Sequence, residues 1–283
     1  MWFWLAFASS VLLGLYDVAK KQALRKNDIW FVLFGATVLT VLFLCPFLGH
    51  GTPRQHLCLA LKGVLVTTSW VSGMMALKLL PITVVSPLKA TRPLFVILFS
   101  IILFGERMNP WQWAGTAVML AAIWLLSASG QKEGIRFFRN KGIWAMGVSI
   151  LSGVASALYD KHIMANLGME PLFVQSWANF YIAVILGLII LVRLAARKED
   201  VSFKWDWTIV LIAVLITAAD ACYFFALSQE GALLSVISMV RRCSVVVTFV
   251  LGAVMFKERN LRGKAASLLL MLAGMFLLFS GTV

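Results

Sequence analysis

Apolar runs of about 17 to 25 residues, the length of a helix that crosses a lipid bilayer, recur along the whole chain. We predict ten such spans, at 2–16, 30–48, 60–77, 84–104, 111–128, 142–159, 171–192, 207–227, 233–255 and 264–280. The alternation of apolar and polar residues that marks the strands of a membrane barrel is missing. The sequence therefore predicts an all-α integral membrane protein with ten transmembrane helices.

The composition excludes the other broad classes of protein. Of 283 residues, 61% are apolar and 13% are charged, whereas a soluble domain has about a quarter charged residues. Such a chain is neither a water-soluble globule nor a disordered segment. The four cysteines lie far apart, without a CxxC motif or a histidine neighbour, so they predict neither a metal site nor a disulfide scaffold.

The basic residues predict how the chain is oriented in the membrane. Of 25 Lys and Arg, 17 lie in the loops on one side and only 4 in those on the other side. Basic loops stay in the cytoplasm, so we expect both termini to face outward, in a plasma (inner) membrane. This topology also accounts for the net charge of +13 without a nucleic-acid partner.

The two halves of the chain repeat each other. The aligned segments are 8–17 with 151–160 and 103–126 with 255–278. The first pair shares the sequence Leu-Tyr-Asp, and the second pair shares an F-x-E-R turn at 104–107 and 256–259. These polar matches are more specific than apolar matches, which are common by chance in such a composition.

An odd number of helices in each repeat inverts the second half relative to the first. This is the plan of secondary transporters, whose substrate lies between the halves near the middle of the membrane. We therefore predict two inverted five-helix repeats, at 1–130 and 142–283, joined by a surface segment at 131–141.

Two five-helix halves, each with an F-x-E-R turn between its fourth and fifth helices, resemble the drug/metabolite transporter superfamily. The ten-helix EamA-type transporters fit best, and the resemblance covers nearly the whole chain. It implies export or exchange of metabolites such as amino acids, sugar phosphates or nucleotide sugars. It also implies cytoplasmic termini, whereas the distribution of basic residues predicts the reverse.

Charged residues inside the predicted spans are the main candidates for a binding site, because each costs about 2.5 to 3.5 kcal/mol to insert. Lys89 and Arg92 lie in the fourth span, and Arg241 and Arg242 lie in the ninth. The offset between the F-x-E-R turns pairs Lys89 with Arg241. The eighth span supplies one acid, Asp220, as a counter-ion or a carrier of a coupling proton. One acid cannot neutralise four cations, so we predict that they bind an anionic substrate.

Other interpretations remain open at this stage. The four cations could instead form structural ion pairs, and Lys89 could reach the membrane surface. Asp17 and Asp160 could be gate residues or helix-end residues at the lipid headgroups. Trp70, Asn179 and Tyr223 could line a cavity or simply pack.

For function, we favour a secondary transporter of a small organic anion, as a monomer or homodimer, over a flippase for an anionic lipid headgroup or lipid-linked sugar. An exporter of amino acids or drug-like metabolites is a further alternative. An intramembrane enzyme is a remote one, because the sequence has no HExxH, no GxSxG and no paired deep carboxylates. We predict no catalytic residue, no metal and no cofactor.

Overall fold

The computed structural model describes residues 2–92, 94–95, 98–99, 109–131, 139–165, 167–196, 206–227, 229, 240–258 and 260–280. Its helices are α1 (Trp2–Ala23), α2 (Ile29–Leu44), α3 (Pro53–Leu79), α4 (Ile82–Ala90), α5 (Pro110–Gln131), α6 (Lys141–Ala165), α7 (Pro171–Ala195), α8 (Trp207–Leu227), α9 (Ser244–Phe256) and α10 (Leu261–Ser280). A 3-10 turn at Cys45–Phe47 follows α2. Within these residues the chain is all-helical, and the prediction of ten helices is confirmed.

Several helices begin where the sequence places a favourable first turn. Proline is the first residue of α3, α5 and α7, where its missing N–H costs nothing and its fixed φ suits the helix. Before α3, Thr52 and Gln55 form a capping box: the Thr52 N–H donates to Gln55 Oε1 at 2.8 Å, and the Gln55 N–H donates to Thr52 Oγ1. These local signals explain why α3 begins seven residues before the predicted start of its span at residue 60.

Seven helices in the described residues are long and apolar enough to cross a membrane: α1, α2, α3, α5, α6, α7 and α10. Their outer faces expose large apolar side chains, with Trp4 and Trp124 each more than 70% exposed. Water-soluble monomers rarely expose apolar surface on this scale. This surface is the one that lipid covers, and the chain is a multi-pass membrane protein.

Helices of the first half pack against helices of the second half. Helix α1 lies against α8, α3 lies against α6, and α5 lies against α10. The α5–α10 contact is close because it is built on glycine: a Cβ at Gly115 would lie 2.8 Å from the Gly274 carbonyl oxygen. Small residues allow such close backbone approach in membranes. In α3 and α6, Ser69 and Ser149 each donate a hydrogen bond to the other's carbonyl oxygen, at 2.8 and 2.6 Å.

The backbone breaks at equivalent places in the two halves. After α4, the Thr91 N–H donates to the Leu88 carbonyl at 3.1 Å, and before α9 the Cys243 N–H donates to the Val240 carbonyl at 3.0 Å. Thr91 and Cys243 are 152 residues apart, the offset of the F-x-E-R turns. The break near Thr91 also lies in the proline-rich stretch where the sequence permits a kink. Irregular backbone at membrane depth is tolerated beside a cavity.

The lengths of the interrupted helices differ from prediction. The sequence predicts spans at 84–104 and 233–255, whereas α4 covers Ile82–Ala90 and α9 covers Ser244–Phe256. Positions 100–104 and 233–239 lie outside the described residues. Another large difference is in α1, which is predicted to end at residue 16 but ends at Ala23.

Candidate functional site

A cavity of about 470 Å³ lies between α1, α3, α4, α6, α8 and α9, beside both backbone breaks. It is lined by Leu13, Tyr16, Asp17, Lys20, Ser69, Trp70, Gly73, Met74, Leu77, Lys89, Ala90, Arg92, Met146, Ser149, Ile150, Ile216, Tyr223, Arg241, Arg242, Ser244 and Val245. Both halves of the chain therefore contribute to its wall. All four cations predicted from the sequence line it.

The cations of the first half have contrasting partners. The Lys89 ammonium donates to Asp17 Oδ1 on α1 at 2.7 Å, and both side chains are largely buried. The Arg92 guanidinium donates to the Gly153 carbonyl on α6. This contact requires a glycine, because a Cβ at position 153 would lie 2.8 Å from Arg92 Nη2. Asp17 is thus a cavity residue inside α1.

The second half pairs its equivalent cation with a different helix. Arg241 donates to Asp220 Oδ1, and the Gln175 amide donates to Asp220 Oδ2 at 2.8 Å. The Arg241 guanidinium also lies 4.5 Å from the centre of the Tyr223 ring. Asp220 and Arg241 therefore form an ion pair, which is contacted by the Gln175 and Tyr223 side chains.

Arg242 has a different environment from its neighbour. Its Nε is buried and has no hydrogen-bond partner among the described residues. Arg92, from the other half of the chain, lines the same cavity. Two guanidinium groups from opposite halves thus face the same space. A buried donor without an acceptor costs about 1 to 3 kcal/mol, and more when it is charged.

Lys20 is a fifth cation in the cavity, although it follows the predicted end of the first span at residue 16. It is only 7% exposed. Its ammonium lies 3.9 Å from the centre of the Tyr16 ring and 5.6 Å from that of Trp70. The signal that could have found it is the spacing of Leu13, Tyr16, Asp17 and Lys20, because positions i, i+3, i+4 and i+7 share one helix face.

This arrangement also explains why α1 continues past its predicted end. Asp17 and Lys20 would stop an apolar helix at the membrane surface, but here both face the cavity and find partners in the protein. A desolvated cation over an aromatic ring gains about 2 kcal/mol, which offsets much of the cost of burying Lys20. The charges are therefore accommodated inside the bundle.

The other predicted candidates fall in different places. Trp70 and Tyr223 line the cavity. Asn179 does not: it is buried in α7 and donates to the Gln175 carbonyl, one turn earlier, at 2.9 Å. The side chain of Asp160 lies outside the described part of the chain. The same holds for Glu106, Arg107 and Arg259, so the F-x-E-R turns are seen only through Phe256 and Glu258.

Glu258 ties the second half of the chain to the first. Its Oε1 accepts from the Ile82 N–H at 2.7 Å, and its Oε2 accepts from the Thr83 N–H at 3.0 Å and from the Thr83 hydroxyl. It thereby caps the first turn of α4. Nearby, Lys21 donates to the Leu77 carbonyl and, at 2.6 Å, to the Leu80 carbonyl at the end of α3.

A second polar contact lies just before α8. The Thr208 N–H donates to Asp206 Oδ1 at 2.9 Å, and the Lys26 ammonium lies 3.3 Å from Oδ2. The backbone hydrogen bond, together with Lys26, lowers the pKa of the Asp206 carboxyl below its ordinary value. Together with Glu258 and Lys21, Asp206 joins the helix ends on the side of the basic loops.

In the described part of the chain, no three residues among His, Cys, Asp and Glu come together in a group that could hold a metal ion.

Comparisons with known proteins agree with this architecture. The EamA-like transporter family matches the chain twice, at residues 1–128 and 140–280. A solved structure described as "Crystal structure of protein" shares the fold, with a TM-score of 0.60 and 18% identity over 98% of this chain and 94% of that one.

Two curated proteins are similar over part of their length. A "Riboflavin transporter" of Rhizobium johnstonii is 28% identical over 64% of this chain. An "Uncharacterized transporter in cobO 3'region" of Sinorhizobium sp is 35% identical over 26% of it. The aligned part spans only about half of each relative, at 55% and 52%. The family matches, in contrast, cover both halves of the sequence, and the chain belongs to the EamA-like transporter family.

Proposed function

We propose that this protein is a secondary transporter that exports or exchanges a small organic anion, such as a carboxylate- or phosphate-bearing metabolite. The substrate occupies the cavity between the halves and is bound by Lys89, Arg92, Arg241 and Arg242. Alternating access requires two units that rock against each other. We assign them to residues 1–130 and 142–283, with 131–141 as the connection; positions 132–138 lie outside the described residues.

The observation that carries this proposal is the buried Nε of Arg242, which lines the cavity without an acceptor among the described residues. An anion placed there would accept from Arg242 and relieve its repulsion with Arg92. Arginine suits carboxylate and phosphate because its planar fork donates two parallel hydrogen bonds. A neutral or cationic substrate would leave the positive charge of the arginines without a counter-charge.

The test is uptake by purified protein in liposomes, with labelled carboxylates, phosphate esters, amino acids and a cationic drug offered in parallel. We expect an anion to be transported best, and Arg242→Gln to reduce its transport. Gly147→Ala is the matched control, because a Cβ at this position of α6 meets no described atom within 4 Å. Preferred transport of a cation would overturn the proposal.

A planar neutral metabolite is the second candidate. It is favoured by the name of the Rhizobium relative, "Riboflavin transporter", and by the Tyr16, Trp70 and Tyr223 side chains in the cavity wall. Riboflavin therefore belongs in the liposome panel. If it is transported and every anion is excluded, the aromatic side chains rather than the arginines select the substrate.

Asp220 is our candidate for the coupling group. Its carboxylate accepts from Arg241 and Gln175 beside the cavity, so a proton on Asp220 would release Arg241 to the substrate. The proton and the substrate anion would then bind together, which supports their cotransport. The transporter works as a monomer or a homodimer, and nothing in its proposed cycle requires a catalytic residue or a cofactor, unlike an intramembrane enzyme.

The liposome panel also addresses the flippase alternative. A lipid-linked sugar or an anionic lipid headgroup would present the same anion to Arg242. Transport of water-soluble anions in the absence of anionic lipid favours the transporter, whereas scrambling of labelled anionic lipid between leaflets favours the flippase.

For localisation, we propose the plasma (inner) membrane with both termini outside the cytoplasm, supported by the 17 basic residues in the loops on one side. A fluorescent reporter that folds only in the cytoplasm, fused after residue 283, should stay dark. A periplasmic phosphatase reporter fused at the same place should be active. Bright cytoplasmic fluorescence would contradict this orientation and would place the basic loops outside the cytoplasm.

A further inference from the structure

Lys20 and Lys21 are chain neighbours with opposite environments. Lys21 points to the end of α3, where it donates to the Leu77 and Leu80 carbonyls. Lys20 points into the cavity, where its described contacts are the Tyr16 and Trp70 rings. The nearest acid in sequence, Asp17, is already bonded to Lys89 at 2.7 Å. Of the two, only Lys20 has the position of a ligand-binding residue.

Lys20 and Arg242 lie at different depths in the same cavity. Helices α1 and α9 end on the same side, because the Arg25 guanidinium lies 4.6 Å from the centre of the Phe256 ring. With a rise of about 1.5 Å per residue, Lys20 lies about 5 Å from the end of α1 and Arg242 about 20 Å from the end of α9. The two cations therefore lie at different depths, with Lys20 nearer to the basic loops.

The ammonium of Lys20 lies over the Tyr16 and Trp70 rings and is attracted by the charge of Asp17, whose carboxylate is bonded to Lys89. Aromatic rings attract a cation but cannot accept its protons in ordinary hydrogen bonds. Apolar side chains, including Met74 and Leu77, complete the wall around it. A ligand group that fits here is an anionic oxygen on an apolar or aromatic body.

We propose that Lys20 is a substrate-binding residue, which receives the anionic group at the end of the cavity near the basic loops. This rests on the proposed function, because it uses the same anion. The class of substrate it implies is an organic anion with an apolar body, which packs on Tyr16 and Trp70 in place of the lysine ammonium. An inorganic anion would use the cations and leave these rings unused.

The experiment compares thermal unfolding of the purified protein with and without acetate, benzoate, succinate or inorganic phosphate, at matched ionic strength. Dissociation constants follow from the dependence of Tm on ligand concentration. We expect Lys20→Met to weaken binding of the best probe by about tenfold or more, and Lys20→Arg to restore most of it. Benzoate should bind more tightly than acetate or phosphate.

Lys21→Met is the control for a merely structural lysine. It should lower the Tm of the unliganded protein, because it removes two hydrogen bonds to helix-end carbonyls, and leave the dissociation constant unchanged. Lys20→Met should not lower the Tm of the unliganded protein, because it removes a cation whose burial is unfavourable. If no probe stabilises the wild type, the proposed anion function fails. If a probe binds the wild type and Lys20→Met equally, only the role of Lys20 is refuted.

Discussion

The two backbone breaks share their geometry but differ in how they hold their cations. Thr91 and Cys243 occupy equivalent positions and make the same type of i→i+3 hydrogen bond. Beside the first break, Lys89 forms an ion pair with Asp17 of α1. Beside the second break, Arg241 forms an ion pair with Asp220 of α8. Equivalent backbone therefore carries non-equivalent electrostatics.

The second cation beside each break also has a different environment in the two halves. Arg92 follows its break and is anchored by the Gly153 carbonyl, whereas Arg242 precedes its break and keeps Nε without an acceptor among the described residues. The position equivalent to Arg92 in the second half is Ser244. The repeat thus conserves the backbone break, while each half places different side chains beside it.

The largest expected effect is on affinity, from removing one cation at each break. We expect Arg242→Gln and Arg92→Gln each to weaken binding of the transported anion by about 2 to 5 kcal/mol, the cost of truncating one partner of a buried charge pair. Isothermal titration in detergent measures it. Unchanged affinity in both folded variants would make the arginines structural, and a loss in only one would assign the substrate to that half.

Next in size is an effect on turnover, which distinguishes the two carboxylates. Asp220→Asn and Asp17→Asn each remove one ion pair beside a break. If Asp220 carries the coupling proton, its variant should slow transport by about tenfold or more, about 1.4 kcal/mol in barrier, and flatten the pH dependence of the rate. Asp17→Asn should retain that pH dependence. The measurement is the rate of uptake into liposomes between pH 5 and 8. A normal pH dependence of this rate in Asp220→Asn would contradict the coupling role.

A smaller effect should follow from moving a cation without deleting it. In Gly153→Ala the new Cβ would lie 2.8 Å from Arg92 Nη2 and 2.9 Å from Cζ. The flexible guanidinium has to move, so we expect binding to weaken by about tenfold, or 1.4 kcal/mol, with the fold retained. Gly147→Ala on the same helix should have no effect.

A double-mutant cycle makes this test specific to Arg92. If Gly153 acts by positioning the guanidinium, the alanine substitution should have no additional effect on affinity in an Arg92→Gln background. Additive losses would show that Gly153 contributes through helix packing instead.

The smallest effect is expected far from both breaks, at Asp206. Asp206→Ala should lower stability by about 1 kcal/mol, as expected for loss of a side chain that caps a helix N-terminus. Because the pKa of Asp206 is lowered in the folded protein, its contribution is complete above the unfolded pKa of about 3.9. It is lost as the pH falls through the folded pKa. The difference in Tm between wild type and variant should therefore shrink from pH 6 to pH 3.

Much of this fold follows from the sequence, because apolar length and the repeat are strong signals in a membrane. Ten helices and the family were predicted, and Lys89, Arg92, Arg241 and Arg242 line one cavity as expected. Lys20 was missed because a basic residue after an apolar run normally marks the membrane surface. Only the packing of α1 against neighbouring helices shows that this residue faces inward.

The partners of the cations could not be predicted for a related reason. Lys89 finds Asp17, which is 72 residues away, and Arg92 finds a backbone carbonyl, which has no signature in the sequence. Asn179, in contrast, is a polar residue in an apolar span that bonds within its own helix. Polarity within a span indicates that a side chain needs a partner, but packing decides whether the partner lies in the cavity.

The cap that Glu258 provides also sets an order of events during biosynthesis. The N–H groups of Ile82 and Thr83 receive their acceptor from a residue that is made about 175 positions later. Until the α9–α10 turn leaves the ribosome, the first turn of α4 has no carboxylate to satisfy it, and open N–H groups are costly at the membrane. The first turn of α4 therefore gains its native carboxylate cap only after the last two helices have been made and have docked.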